Sequence, residues 1–137
     1  MKLSTTRLFN YQYSIDFYEV QEFDWNYING PVRYEGYEFL ELNLPFIIES
    51  LNKDPNTRQA ILTLNSINYM SCLISIQWLI DNNTLYCITN FRSQHKELGR
   101  PQDTQLILWL TTQLKSKLTS YIESTHIEVN VGDYHTN

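Results

Sequence analysis

This sequence predicts an α/β (more narrowly α+β) domain in which a mixed or antiparallel sheet carries one long helix. Three observations lead there. Residues 103–122 keep a helical period; two apolar runs flank a four-residue turn; other short segments alternate apolar with polar side chains.

Residues 1–30 are aromatic and β-branched with patches of alternation, and read as one or two strands. Asn29-Gly30-Pro31 then signals a turn. Residues 45–52 (PFIIESLN) predict a short helix, with Pro45 tolerated in its first turn and Asp54-Pro55 ending it. RQAILTLNS predicts a strand with Ala60, Leu62 and Leu64 on one face. Residues 72–80 and 85–91 predict a hairpin around Asp81-Asn82-Asn83-Thr84. Both arms are apolar on both faces, so the hairpin is expected to be covered on both sides. Over 103–122, Leu106, Leu110, Leu114, Leu118 and Ile122 recur every four residues, with Ile107 and Tyr121 widening the stripe. HIEVNV, alternating Ile127, Val129 and Val131, is the expected last strand.

Composition sets the bounds. With 137 residues, 42% of them hydrophobic and 18% charged, the chain suits one folded domain over residues 1–137 and is too short for two good cores. The net charge of -5 argues against nucleic-acid binding, which needs a basic stripe to displace counterions. A single phosphate remains within reach of one or two arginines. No run attains the roughly 20 apolar residues that span a bilayer, and the first residues lack the apolar core of a signal peptide. Cys72 and Cys87 are the only cysteines, so a cytoplasmic protein with free thiols is the simplest expectation. His95 and His126 have no metal-ligand spacing with either cysteine, and no metal site is expected. Ten tyrosines suit strands and a subunit interface.

Four blocks carry a family resemblance. CLISIQWLIDNNTLYCITNFRSQHKELGRPQD opens a strand on Cys72, ends a second strand in Arg92-Ser93, and turns through Leu98-Gly99-x-Pro101 into a helix. NGPVRYEGYEF and LNKDPNTRQAIL lie upstream and NVGDYH downstream. In this order, over roughly residues 29–135, they resemble the thymidylate synthase and deoxycytidylate hydroxymethylase family. The resemblance implies a minimal thymidylate synthase-like sheet-and-helix fold and a homodimer. It also implies one-carbon transfer to ring carbon five of a pyrimidine nucleoside monophosphate (dCMP or dUMP), with 5,10-methylenetetrahydrofolate as donor. The family's N-terminal helical part and C-terminal tail, which enclose the folate, have no counterpart here, so a shortened member is expected. Ser71, Gln59, His95 and Asn137 stand where the family has proline, a second arginine, an acidic residue and tyrosine.

On this resemblance Cys72 is the nucleophile. A thiolate adding to ring carbon six makes carbon five nucleophilic, and Arg92 supplies the positive charge that a thiolate needs. Read alone, Cys72 is more simply a buried core cysteine at the start of an apolar strand; the Arg92-Ser93 and Gly99-x-Pro101 that follow favour the nucleophile. Arg92 and Ser93 are expected to hold the phosphate, with Arg58 reaching into the partner subunit's site or, on the plainer reading, standing as a solvated charge. Arg7 is a further phosphate candidate. Gly99 lies in the nucleotide-binding turn. Asp103 stands where asparagine reads uracil and aspartate reads cytosine, which favours cytosine, although a carboxylate also suits a helix start by itself. His135 matches a histidine that bonds the sugar hydroxyl, and His95 is a candidate acid–base group. The alternative to an enzyme is a non-catalytic protein that sequesters or senses a nucleotide.

Overall fold

A computed structural model describes residues 6–24, 38–64 and 72–136. The expected turn at Asn29-Gly30-Pro31, the NGPVRYEGYEF block except its last residues, Ser71 and Asn137 lie outside them. The fold is α+β. In chain order the elements are β1 (Arg7–Asp16), α1 (Glu38–Lys53), β2 (Ile61–Thr63), β3 (Leu73–Asp81), β4 (Thr84–His95), α2 (Arg100–Ser116) and β5 (Ser124–His135). The strands form one mixed sheet in the order β1-β5-β4-β3-β2. All pairs are antiparallel except β4 with β5, whose parallel pairing requires the crossover that α2 provides.

The β3–β4 hairpin follows its sequence closely. Its two turn residues, Asn82 and Asn83, have φ of 50° and 62°, the double positive φ of a type I′ turn, which asparagine tolerates. A register irregularity between Leu73 and Ser75 puts Leu73 on the buried face beside Ile76 and Trp78, three residues apart rather than two. Leu85, Cys87, Phe91, Ile127, Val129 and Val131 complete that face. The expected cover on both faces is not seen among the described residues. Both helices share the single core on one face, while Ile74, Leu79 and Ile88 on the other are half-buried among Gln77, Tyr86 and Asn90.

Both helices differ from their predicted bounds. α1 begins at Glu38, so Pro45 lies inside it rather than in its first turn. Pro45 is exposed, and the buried stripe Leu40, Leu44, Ile47, Ile48 and Leu51 outweighs the lost hydrogen bond, at about 1.5–3 kcal/mol per buried side chain. α2 begins at Arg100 and stops at Ser116, although the apolar period runs on to Ile122. Asn52 of α1 takes over the helix end: its Nδ2 donates to the Lys117 carbonyl (3.0 Å) and its Oδ1 accepts from the Thr119 amide (2.8 Å). Leu118 and Ile122 still pack on the core from the segment that follows, whereas Tyr121 is 71% exposed.

Ala60, Leu62 and Leu64 share a buried face as expected, and of the one or two strands expected over residues 1–30 the described residues hold one, β1. β5 is longer than HIEVNV and absorbs the Gly-Asp-Tyr-His segment into the sheet. The strands deform together at one level. Asn10 has φ 53°, and a Cβ on Gly132 would lie 2.8 Å from the Arg92 carbonyl oxygen. Beyond that level burial on β4 and β5 changes parity, so that Gln94 and Tyr134, rather than Ser93 and Asp133, turn inward.

Candidate functional site

The hairpin register places Cys72 beside Arg92. The Arg92 amide donates to the Cys72 carbonyl (2.7 Å), and its Nη2 lies 3.5 Å from Sγ. Both side chains are exposed. Cys87, not Cys72, is the core cysteine: it is fully buried, and burial pushes its thiol up to about 12, against the pull of a hydrogen bond with Thr111. Ser93 follows Arg92 and stands half-buried opposite Asp133 of β5.

A second group gathers at the start of α2. Asp103 is 5% exposed, and its Oδ2 accepts from Gln94 Nε2 (3.0 Å). Tyr13 Oη donates to Gln94 Oε1 (2.7 Å), and the Arg100 guanidinium lies 3.8 Å over the Tyr13 ring while its Nη1 donates to Tyr134 Oη (2.9 Å). Burial pushes Asp103 up to about 7, although the Gln94 hydrogen bond pulls it down. Helix starts favour carboxylate anions, so desolvation here outweighs the dipole. Gly99 sits against this group. A Cβ there would meet the His95 backbone N and O at 3.3 Å and Asp103 Oδ2 at 3.5 Å, so glycine lets the turn close tightly.

The third group lies at the end of β5. The His135 ring meets His95 edge to face at 5.4 Å, and its Nδ1 is 3.2 Å from the Asp133 carbonyl oxygen. His95 Nδ1 accepts from the amides of Glu97 and Leu98, which places its proton on Nε2. Arg7 pairs with Asp133 and holds that carboxyl below its usual range. Arg7 therefore joins the His135 end of the sheet already neutralised. Arg58 stands apart, exposed ahead of the β2 edge, with its carbonyl accepting from Gln77.

The structure thus brings Cys72 to Arg92, Gly99 to Asp103, and His135 to His95. Sequence reasoning missed Gln94, Tyr13, Arg100 and Tyr134. The abundance of tyrosine was the only signal for them, and it pointed to an interface instead. A cavity of about 170 Å³ opens beside Arg100 and Tyr134, lined also by Tyr11, Lys96 and His135. The folate implied by the resemblance does not fit the described residues at Cys72. Its chemistry needs water excluded around the reacting carbon, and both the thiol and its arginine are exposed. No protein-family model matches the chain, and no curated protein matches it.

Proposed function

We propose that this chain binds a pyrimidine nucleoside monophosphate, with cytosine preferred over uracil, and activates ring carbon five for methyl or hydroxymethyl transfer. The observation that carries this reading is the 3.5 Å approach of Arg92 Nη2 to Cys72 Sγ on an exposed strand end. At that distance the guanidinium donates a hydrogen bond to the sulfur that would attack the ring. The thiolate forms a bond to ring carbon six, and the carbon five–six π pair moves onto carbon five and, by conjugation, onto nitrogen three of cytosine or the carbon-four oxygen of uracil. Carbon five then takes up an electrophile; loss of its original hydrogen as a proton expels the thiolate and restores the ring. Ser93, next to Arg92, supplies a hydroxyl for the phosphate, and His135 one nitrogen for the sugar. Asp103 selects the base: ionised it accepts from a cytosine amino group, and protonated it offers a donor as well.

Methylenetetrahydrofolate is the carbon donor that the resemblance implies, but the activated ring is the last species the described residues account for. The rest of the proposal is a cytoplasmic homodimer with a thymidylate synthase-like fold, in which Arg58 completes the phosphate site of the partner. A non-catalytic nucleotide-binding role is the second reading. It is favoured by the Gln94 hydrogen bond, which occupies one oxygen of the carboxyl that would read the base.

Addition at carbon six labilises the hydrogen on carbon five without any carbon donor, which gives the test. The wild type is expected to release tritium from 5-tritiated dCMP, and more slowly from dUMP, while Cys72→Ser releases none. Mixing Cys72→Ser with Arg58→Gln subunits restores release only where the site is shared. Equal nucleotide binding by wild type and Cys72→Ser, without release, selects the non-catalytic role; no nucleotide binding at all ends both readings.

A further inference from the structure

The cavity at the end of the sheet has a charge pattern that the proposed reaction leaves unused. Arg100 and Lys96 both line it. Among the described residues no carboxylate lies within ion-pair distance of either. Asp133, the nearest in sequence to the lining residue Tyr134, is committed to Arg7. Arg100 is half-buried against aromatic rings, one nitrogen on Tyr134 and its plane over Tyr13. Such stacking desolvates a guanidinium without neutralising it, and a cation held that way keeps a strong demand for an anion.

The remaining polar groups facing the cavity suit the same ligand. Thr136 Oγ1 accepts from the Thr6 amide (3.1 Å), which leaves its own proton free to donate. Tyr134 Oη likewise accepts from Arg100 and keeps its proton. His135 adds an imidazole at the rim. Among the described residues no side-chain carboxylate contributes to the lining. The volume, about 170 Å³, is many times the roughly 10–15 Å³ that one water requires, so a tetrahedral oxyanion and the first atoms attached to it can enter.

We propose that this cavity is a phosphate-binding site, held by Arg100 and Lys96 and separate from Arg92 and Ser93. Arg92 and Ser93 do not line the cavity: the Arg92 guanidinium is turned to Cys72 beside β3, whereas the lining comes from β1, β5 and the start of α2 on the other side of β4. The site takes either free phosphate or the phosphate of a monoester, and it stands whether or not the nucleotide reading does.

Calorimetric titration of the full chain with inorganic phosphate, in a chloride buffer at pH 7.5, tests it. Wild type and Lys53→Gln, which removes an exposed cation at the end of α1, are expected to bind phosphate equally. Arg100→Gln and Lys96→Gln are each expected to lose about tenfold in affinity, the scale of one charge-assisted hydrogen bond. Lys96 is exposed, so its variant guards against misfolding of the Arg100 variant, and circular dichroism checks both. Ribose 5-phosphate identifies the source: tenfold tighter binding than inorganic phosphate marks an esterified ligand, and equal binding marks the free anion. An undetectable wild-type interaction overturns the site. So does unchanged affinity in both cavity variants, or a loss on Lys53→Gln alone.

Discussion

Replacing Asp103 with asparagine is expected to stabilise the protein at alkaline pH, and the structure fixes both the sign and the scale. Asp103 is 5% exposed, and its acidity is shifted from an ordinary 3.8 to about 7 by burial. Between those values the folded chain holds a proton that the unfolded chain has released. Stability contributed by this group is therefore complete below about pH 4, falls as pH rises towards 7, and is flat above. Roughly three pH units at 1.36 kcal/mol each set a ceiling of about 4 kcal/mol. Asparagine has nothing to ionise, and its carbonyl oxygen can still accept from Gln94 Nε2, whose present partner is Asp103 Oδ2 at 3.0 Å. Urea unfolding at pH 4.5 and pH 8 measures the effect. At a slope of about 2 kcal/mol per molar, the midpoint of Asp103→Asn rises above that of wild type by up to about 2 M at pH 8 and converges with it at low pH. Every other carboxylate contributes equally to both curves, so their difference isolates this one. Parallel curves would refute the claim that Asp103 is buried at the expense of its charge.

Two further substitutions probe the features that frame the site. Asn52→Ala removes the three hydrogen bonds that close α2, one to the Lys117 carbonyl and two from Thr119, and is expected to lower stability by about 1 kcal/mol, because water replaces them in part. Hydrogen exchange at the Thr119 amide accelerates in the same variant; unchanged exchange would show that the helix ends by itself. Gly132→Ala drives a Cβ to 2.8 Å from the Arg92 carbonyl oxygen, so β4 and β5 must part locally, at about 1–3 kcal/mol. A thermal midpoint equal to wild type would mean that the strands adjust there freely.

The fold was legible wherever local chemistry and burial agree. Asn82-Asn83 between two apolar runs specified a hairpin, and the alternation of Ile127, Val129 and Val131 specified a strand with one buried face. The errors came where burial outlasts secondary structure. Leu118 and Ile122 continue the apolar period of α2 after its hydrogen bonds have stopped, since a side chain can reach the core from a turn as well as from a helix. Conversely, α1 starts ahead of Pro45 because Leu40 and Leu44 are buried, and burial of that size overrides a local breaker. The two-sided cover expected of the hairpin failed because hydrophobicity by residue type ignores register: one irregularity at Leu73 moved that side chain to the core face and left the other face mixed.

The candidate site divides along the same line. Counting back from the two-residue turn sets Cys72 opposite Ser93, one place off; the irregularity between Leu73 and Ser75 shifts the pairing by one residue and brings Cys72 to Arg92. Asp103 could be placed at the start of a helix, but its burial could not, because burial depends on Gln94 turning inward. Gln94 turns inward only because β4 and β5 change parity past Gly132. A strand pattern read with a strict period of two assigns Gln94 and Tyr134 to solvent, and so conceals the chain from Asp103 through Gln94 and Tyr13 to the Arg100 cation. The deformation is therefore what joins the two halves of the site. It turns an exposed strand end, suited to a nucleophile, into a buried polar relay within three residues. A β4 without it would keep Cys72 beside Arg92 and leave the Asp103 carboxyl without its partner.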